Sequence, residues 1–198
     1  MEELIVKISA LFKKYGIKSV TMDDISRELG ISKKTLYQHF ENKNDVVYKI
    51  ADFEIISEFE ELKELCAQSV HVIDQLRVVS KYIIEKNFSL NPSLIYSLSK
   101  YYPKIWEESI NKRQEFIHNL ITKNLSKGIK QGMYRGNLDL NIITPFYLFL
   151  LNVRSIESHM NWSIENLDQN FDTIFLYHIR GIATKEGIEY LEKQFSIN

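Results

Sequence analysis

Residues 21–40 read TMDDISRELGISKKTLYQHF, and this stretch decides the fold. Met22, Ile25 and Leu29 recur every three or four positions and so share one side of a helix. Thr21 opens that helix as a cap, and Asp23 and Asp24 sit in its first turn, where carboxylates complement the helix dipole. Gly30 ends it at a point where left-handed backbone is open to glycine. Ser32 then caps a short helix, Lys33 to His39, which turns Leu36 and Phe40 inward. Lys33, Lys34, Thr35, Tyr37, Gln38 and His39 are left around the rest of its circumference. A tight turn, a small residue at Ser26 where the helices touch, and Ile25, Leu29, Ile31 and Leu36 pinning the pair are what a helix-turn-helix requires. Its second helix is then free to lie in a DNA major groove.

The chain on either side continues in helices. Leu4, Ile8, Leu11, Phe12 and Tyr15 predict an amphipathic helix over 3–15, stopped by Gly16, and Asn42 or Asn44 caps a fourth helix running to about Cys66. Further helices are expected over Val70 to Phe88, from Asn91-Pro92, and from Pro103 to Gly132, because proline suits the first helical position. An apolar helix over Ile142 to Met160 follows, then one over Leu167 to Gly181 with the stripe Phe171, Ile174, Phe175, Ile179 and Ile182, then a tail helix over about 185–193. With only 7 Gly and 3 Pro in 198 residues, the expectation is an all-α fold. It divides into a helix-turn-helix domain of three helices over 1–46 and a helical regulatory and dimerisation domain over 47–198.

The segment from Thr21 to Lys43, ending Thr-Leu-Tyr-Gln-His-Phe-Glu-Asn-Lys, resembles the N-terminal signature of TetR-family transcription regulators. The resemblance covers roughly residues 5–50, and Gly128-Ile-Lys-Gln-Gly-Met-Tyr-Arg135 resembles the family's lead-in to its first dimer helix. It departs at Ser26 and Leu29, where many relatives carry alanine, and both substitutions suit the packing. The resemblance implies that Thr21, Tyr37, His39 and Lys43 hold the DNA backbone while Lys33, Lys34, Thr35 and Gln38 face the bases. Physical reading adds Ser32, whose helix start offers free amides, and gives Tyr37 a phenol for a phosphate oxygen. The resemblance also implies a homodimer on operator DNA, usually a repressor, released by a small apolar or aromatic effector. The expected dimer pairs the last two major helices, Ile142 to Met160 and Leu167 to Gly181, with their copies as a four-helix bundle, since the apolar stripe would otherwise lie partly exposed.

Composition neither supports nor opposes DNA, since the formal net charge of -1 says nothing of where positive charge sits. The first fifty residues hold nine basic against seven acidic side chains, a small local excess. The body carries most of the aromatics, and Tyr96, Tyr101, Tyr102, Trp106, Phe116, Phe146, Tyr147 and Phe149 are candidates to line an apolar effector pocket, with core packing as the plain alternative. His71, His118, His159 and His178 stand at no metal-pair spacing, and no catalytic set or glycine-rich phosphate loop is present. No metal, cofactor or enzymatic activity is therefore expected. One cysteine, Cys66, and the acidic start fit a reducing cytoplasm, and the apolar run 142–151 is about half the roughly 20 residues a membrane span needs. The rival readings are a DNA-binding regulator without a small ligand and an enzyme built on a helical bundle.

Overall fold

The protein is described here by a computed structural model covering residues 1–152 and 164–195. These residues form ten helices and no strand: α1 (Glu2–Tyr15), α2 (Met22–Leu29), α3 (Lys33–His39), α4 (Lys43–Gln68), α5 (Val72–Ser89), α6 (Pro92–Tyr101), α7 (Pro103–Lys130), α8 (Leu140–Leu151), α9 (Ile164–Ile182) and α10 (Lys185–Phe195). The all-α expectation holds, and no helix among the described residues is long and apolar enough to cross a membrane.

The helices gather into two compact units, one made of Met1–Glu60 with Leu90–Gln114, the other of Glu61–Ser89 with Glu115–Asn198. In the first unit Ile8, Phe12, Ile25, Leu36, Phe40, Val46 and Val47 form one buried cluster. Leu94 and Leu98 of α6 and Ile105 of α7 pack against it, so the helix-turn-helix does not close its own core alone. Two ion pairs tie α4 to α7 within this unit: Lys112 with Asp52, and Arg113 with Glu58. The second is forked, with Nε of Arg113 2.9 and 2.8 Å from the two carboxylate oxygens and the Nη2 atom 2.7 Å from one of them. Glu58 is buried, and this bidentate geometry is what offsets the cost of taking a carboxylate out of water.

The second unit packs α5, α8, α9, α10 and the remainder of α7 around Leu76, Ile83, Ile121, Leu125, Tyr147, Phe175 and Ile179. The segment 128–135 closes onto the end of α9, with the amide of Arg135 bonded to the Ile182 carbonyl at 2.9 Å and that of Thr184 to the Met133 carbonyl at 3.0 Å. The Tyr134 ring lies against Gly128, where a Cβ would stand 2.1 Å from a ring carbon, so only glycine fits.

Two expectations are corrected in this unit. The α9 stripe of Phe171, Ile174, Phe175, Ile179 and Ile182 was expected to lie partly exposed and to form a dimer interface, but all of it except the half-buried Ile174 is buried in the chain's own core. A helix against a core spends its apolar face there first, and the outward face of α9 holds Thr173, Tyr177 and Gly181 instead. The apolar helix expected to begin at Ile142 begins at Leu140, capped by Asp139, whose carboxylate accepts from the Asn141 amide. The rest of that expected helix, residues 153–160, and His159 lie outside the described residues.

Candidate nucleic-acid interface

The turn between α2 and α3 is built as its sequence dictates. Thr21 and Asp24 form a reciprocal capping box: the Thr21 hydroxyl accepts from the Asp24 amide at 3.1 Å, and the Asp24 carboxylate accepts from the Thr21 amide at 3.0 Å. The Thr21 hydroxyl also donates to that carboxylate at 2.6 Å, and these bonds hold the Asp24 pKa below the usual carboxylate range. Gly30 takes left-handed backbone with φ 65°, and its amide and that of Ile31 bond back to the end of α2. Ser26, buried at the helix contact, donates to the Asp23 carbonyl at 2.9 Å. Ser32 caps α3 through the Thr35 amide at 3.0 Å, and Asn42, the first of the two candidates, caps α4 through the Asp45 amide at 3.1 Å.

Leu36 is fully buried and Phe40 nearly so, which fixes the roll of α3 about its axis. Lys34, Tyr37 and Gln38 consequently face solvent, with Tyr37 51% exposed. Among the described residues Lys34 and Gln38 have no hydrogen-bond or ion-pair partner, so their full bonding capacity points outward. The other candidates already have partners. Lys33 pairs with Asp23 of α2 at 2.7 Å, and the Thr35 and Ser32 hydroxyls lie 2.8 Å apart. His39 is half-buried, edge-on to Phe40, and its carbonyl accepts from Lys49 at 2.9 Å. Lys43 is half-buried and donates to the Lys18 carbonyl at 3.2 Å, and burial lowers its pKa against the pull of Asp24.

Sequence reading missed two residues that set this surface. Asp23 restrains Lys33 from ten positions away, and Lys18 supplies the carbonyl that aims Lys43. The opposite charges at 23 and 33 were visible, but pairing them needs the sharp turn at Gly30.

The pocket candidates are distributed over both units. Tyr96, Tyr101, Tyr102 and Trp106 belong to the first, and Phe116, Phe146, Tyr147 and Phe149 to the second. Tyr96 and Tyr101 are exposed and hold lysines over their rings, Lys100 over both and Lys18 over Tyr101. Phe146 and Phe149 face outward, while Tyr147, on the opposite side of α8, is buried.

Residues 4–49 match the sequence model of a family described as bacterial regulatory proteins, tetR family. An HTH-type transcriptional regulator of Staphylococcus aureus (strain USA300) is 28% identical over 107 residues, 49% of this chain. The matched region spans 58% of that relative, so the likeness stops a little past half its length. Among solved structures, a TetR transcription regulator from Haloarcula marismortui superposes with a TM-score of 0.73 at 15% identity, covering 92% of this chain and 97% of that one. The transcriptional regulator FadR from Bacillus subtilis in complex with stearoyl-CoA superposes with a TM-score of 0.64 at 18% identity, covering 91% and 98%. At such identities the superpositions speak for the fold.

Proposed function

We propose that this chain, whose residues 4–49 match the sequence model of the TetR family of bacterial regulatory proteins, is a ligand-responsive, homodimeric DNA-binding regulator of that family. The observation that carries this reading is the roll of α3: burial of Leu36 leaves Lys34, Tyr37 and Gln38 presented together on a helix braced by α2. In a major groove Gln38 and Lys34 read base edges and Tyr37 meets a phosphate. Thr21, Ser32, Lys33, Thr35, His39 and Lys43 complete the contact set; Lys33, expected at a base edge, is reassigned to a phosphate because its pair with Asp23 draws it back towards α2, and both lysines give up their internal partners as phosphates replace them.

The dimer reading rests on α8. Ile142, Phe146 and Phe149 are 63%, 55% and 60% exposed, and with Pro145 they stand at i, i+3, i+4 and i+7, one apolar face turned to water. Tyr177, 80% exposed, extends the outward surface on α9, which touches α8 where Tyr147 stacks on His178. A second copy is the occupant this surface fits, since a two-fold interface needs a self-complementary patch. Two reading heads then meet a near-palindromic operator in which the effector sets the half-site spacing.

The test is selection from a library of random 30-base-pair duplexes, followed by titration of the winners. Enrichment of an inverted repeat bound by two chains is expected. Absence of any duplex bound more tightly than bulk DNA would sink the regulator reading.

A further inference from the structure

Three buried polar side chains meet in the second unit: Ser80 on α5, Tyr147 on α8 and His178 on α9. The rings of Tyr147 and His178 are stacked, with centroids 3.8 Å apart and planes 13° from parallel. The Ser80 hydroxyl lies 2.6 Å from the Leu76 carbonyl and 2.6 Å from the Tyr147 hydroxyl. A hydroxyl has one proton, and a carbonyl only accepts. Ser80 therefore donates to Leu76, and Tyr147 donates to Ser80, which leaves Tyr147 no proton for its neighbour.

His178 is the group this arrangement leaves over. It is 6% exposed, and its Nε2 has no hydrogen-bond partner among the described residues. The neighbouring inward positions of α9, Phe171, Phe175, Ile179 and Ile182, are hydrocarbon, and packing alone is served as well by a fifth apolar residue. An unpaired nitrogen in such a place carries its desolvation cost with no return until a donor arrives. Two residues before Tyr147, Pro145 removes an amide from the ladder of α8, so the turn beside the stacked pair lacks one internal hydrogen bond.

We propose that Nε2 of His178 is the polar anchor of an effector site in this unit, and that the effector is a small, neutral, mainly apolar molecule whose hydroxyl donates to it, a phenol or an alcohol. This rests on the ligand-responsive reading above and narrows its chemistry. A charged group is disfavoured there because none of Ser80, Tyr147 and His178 carries a charge to balance it, and burial keeps the imidazole neutral, with its pKa lowered to about 4. The stack on Tyr147 fixes the ring plane, so the nitrogen has one direction in which to be met.

The probes are p-cresol and toluene, which differ by one hydroxyl. In the full-length chain labelled with 15N-histidine, the His178 ring, assigned against His178→Phe, is expected to be neutral at pH 7 with Nε2 unprotonated. p-Cresol should move the Nε2 resonance and bind about three- to ten-fold more tightly than toluene, the return on one neutral hydrogen bond. His178→Phe keeps the stack and should bind the two equally. A protonated Nε2, a resonance unmoved by p-cresol, or equal affinities in the parent overturns the proposal. Binding of a 30-base-pair duplex by the same sample separates the cases. If DNA binds while p-cresol leaves His178 unmoved, this inference fails and the regulator stands, and a chain that binds no DNA fails as a regulator whatever His178 does.

Discussion

Replacing Asp23 by asparagine should make the protein bind DNA more tightly, and more steeply with falling salt. Asp23 and Lys33 are 2.7 Å apart with side chains 63% and 60% exposed, an ion pair in open solvent. Such a pair is worth about 0.2–1 kcal/mol, so its loss should leave the fold intact. A lysine released to neutralise one more phosphate adds roughly 0.9 to the slope of log affinity against log salt. Over a four-fold change in salt, from 0.2 to 0.05 M, that amounts to about 3.5-fold of extra gain. Removing a carboxylate that faces the phosphates acts in the same direction. The assay is fluorescence anisotropy on a 30-base-pair random-sequence duplex at four salt concentrations, which reports phosphate contacts alone. A slope in Asp23→Asn equal to that of the parent refutes the reasoning. So does an increase just as large in a Lys33→Ala background, because the gain would then owe nothing to the released lysine.

Tyr37→Ala and Lys43→Ala should each weaken binding to all duplexes, Lys43→Ala with a slope flatter by about one unit, and an unchanged titration would remove the residue from the contact set. Gln38→Ala should instead alter which sequence is selected, at a cost of about 1–3 kcal/mol on the base pair it reads, and an identical selected motif would count against a base contact. Phe149→Asp should give a monomer in sedimentation at micromolar concentration with its helical spectrum retained, since Phe149 is exposed and outside the core. An intact dimer would exclude this α8 face. Burial holds the His178 pKa at about 4, below its ordinary 6.5, so between these values the unfolded chain binds a proton that the folded chain refuses. The resulting stability is present above about pH 6.5 and lost as pH falls towards 4, by roughly 3 kcal/mol in urea titrations, and His178→Phe should lack that component.

The head was legible wherever a rule is local. A cap at Thr21, a left-handed stop at Gly30 and a cap at Ser32 each depend on a few neighbouring residues, and each stands where the sequence put it. Leu36 and Phe40, read as inward at i and i+4, are buried and so determine which side chains of α3 reach solvent. Partners across a turn were not legible. Lys33 and Lys43 look alike in sequence as exposed cations, yet one is restrained by a carboxylate and the other is aimed by a carbonyl. Their difference exists only once α2 and α3 have crossed.

In the body, periodicity told which residues are inward without telling inward to what. The α9 stripe is as regular as an interface stripe would be, because a helix against its own core and a helix against a second copy obey the same spacing. On α8 even that signal fails: from Leu140 to Leu151 nearly every side chain is apolar, so Tyr147 and its neighbour Phe146 cannot be ranked by hydrophobicity. What separates them is a bond partner, Ser80, which lies 67 positions from Tyr147. The phenol of Tyr147 has a buried hydroxyl to receive it, and the phenyl of Phe146 needs none. Once Tyr147 is turned inward, the helix pitch sends Ile142, Phe146 and Phe149 to water together, so one buried hydrogen bond sets both the inward side and the outward side of α8.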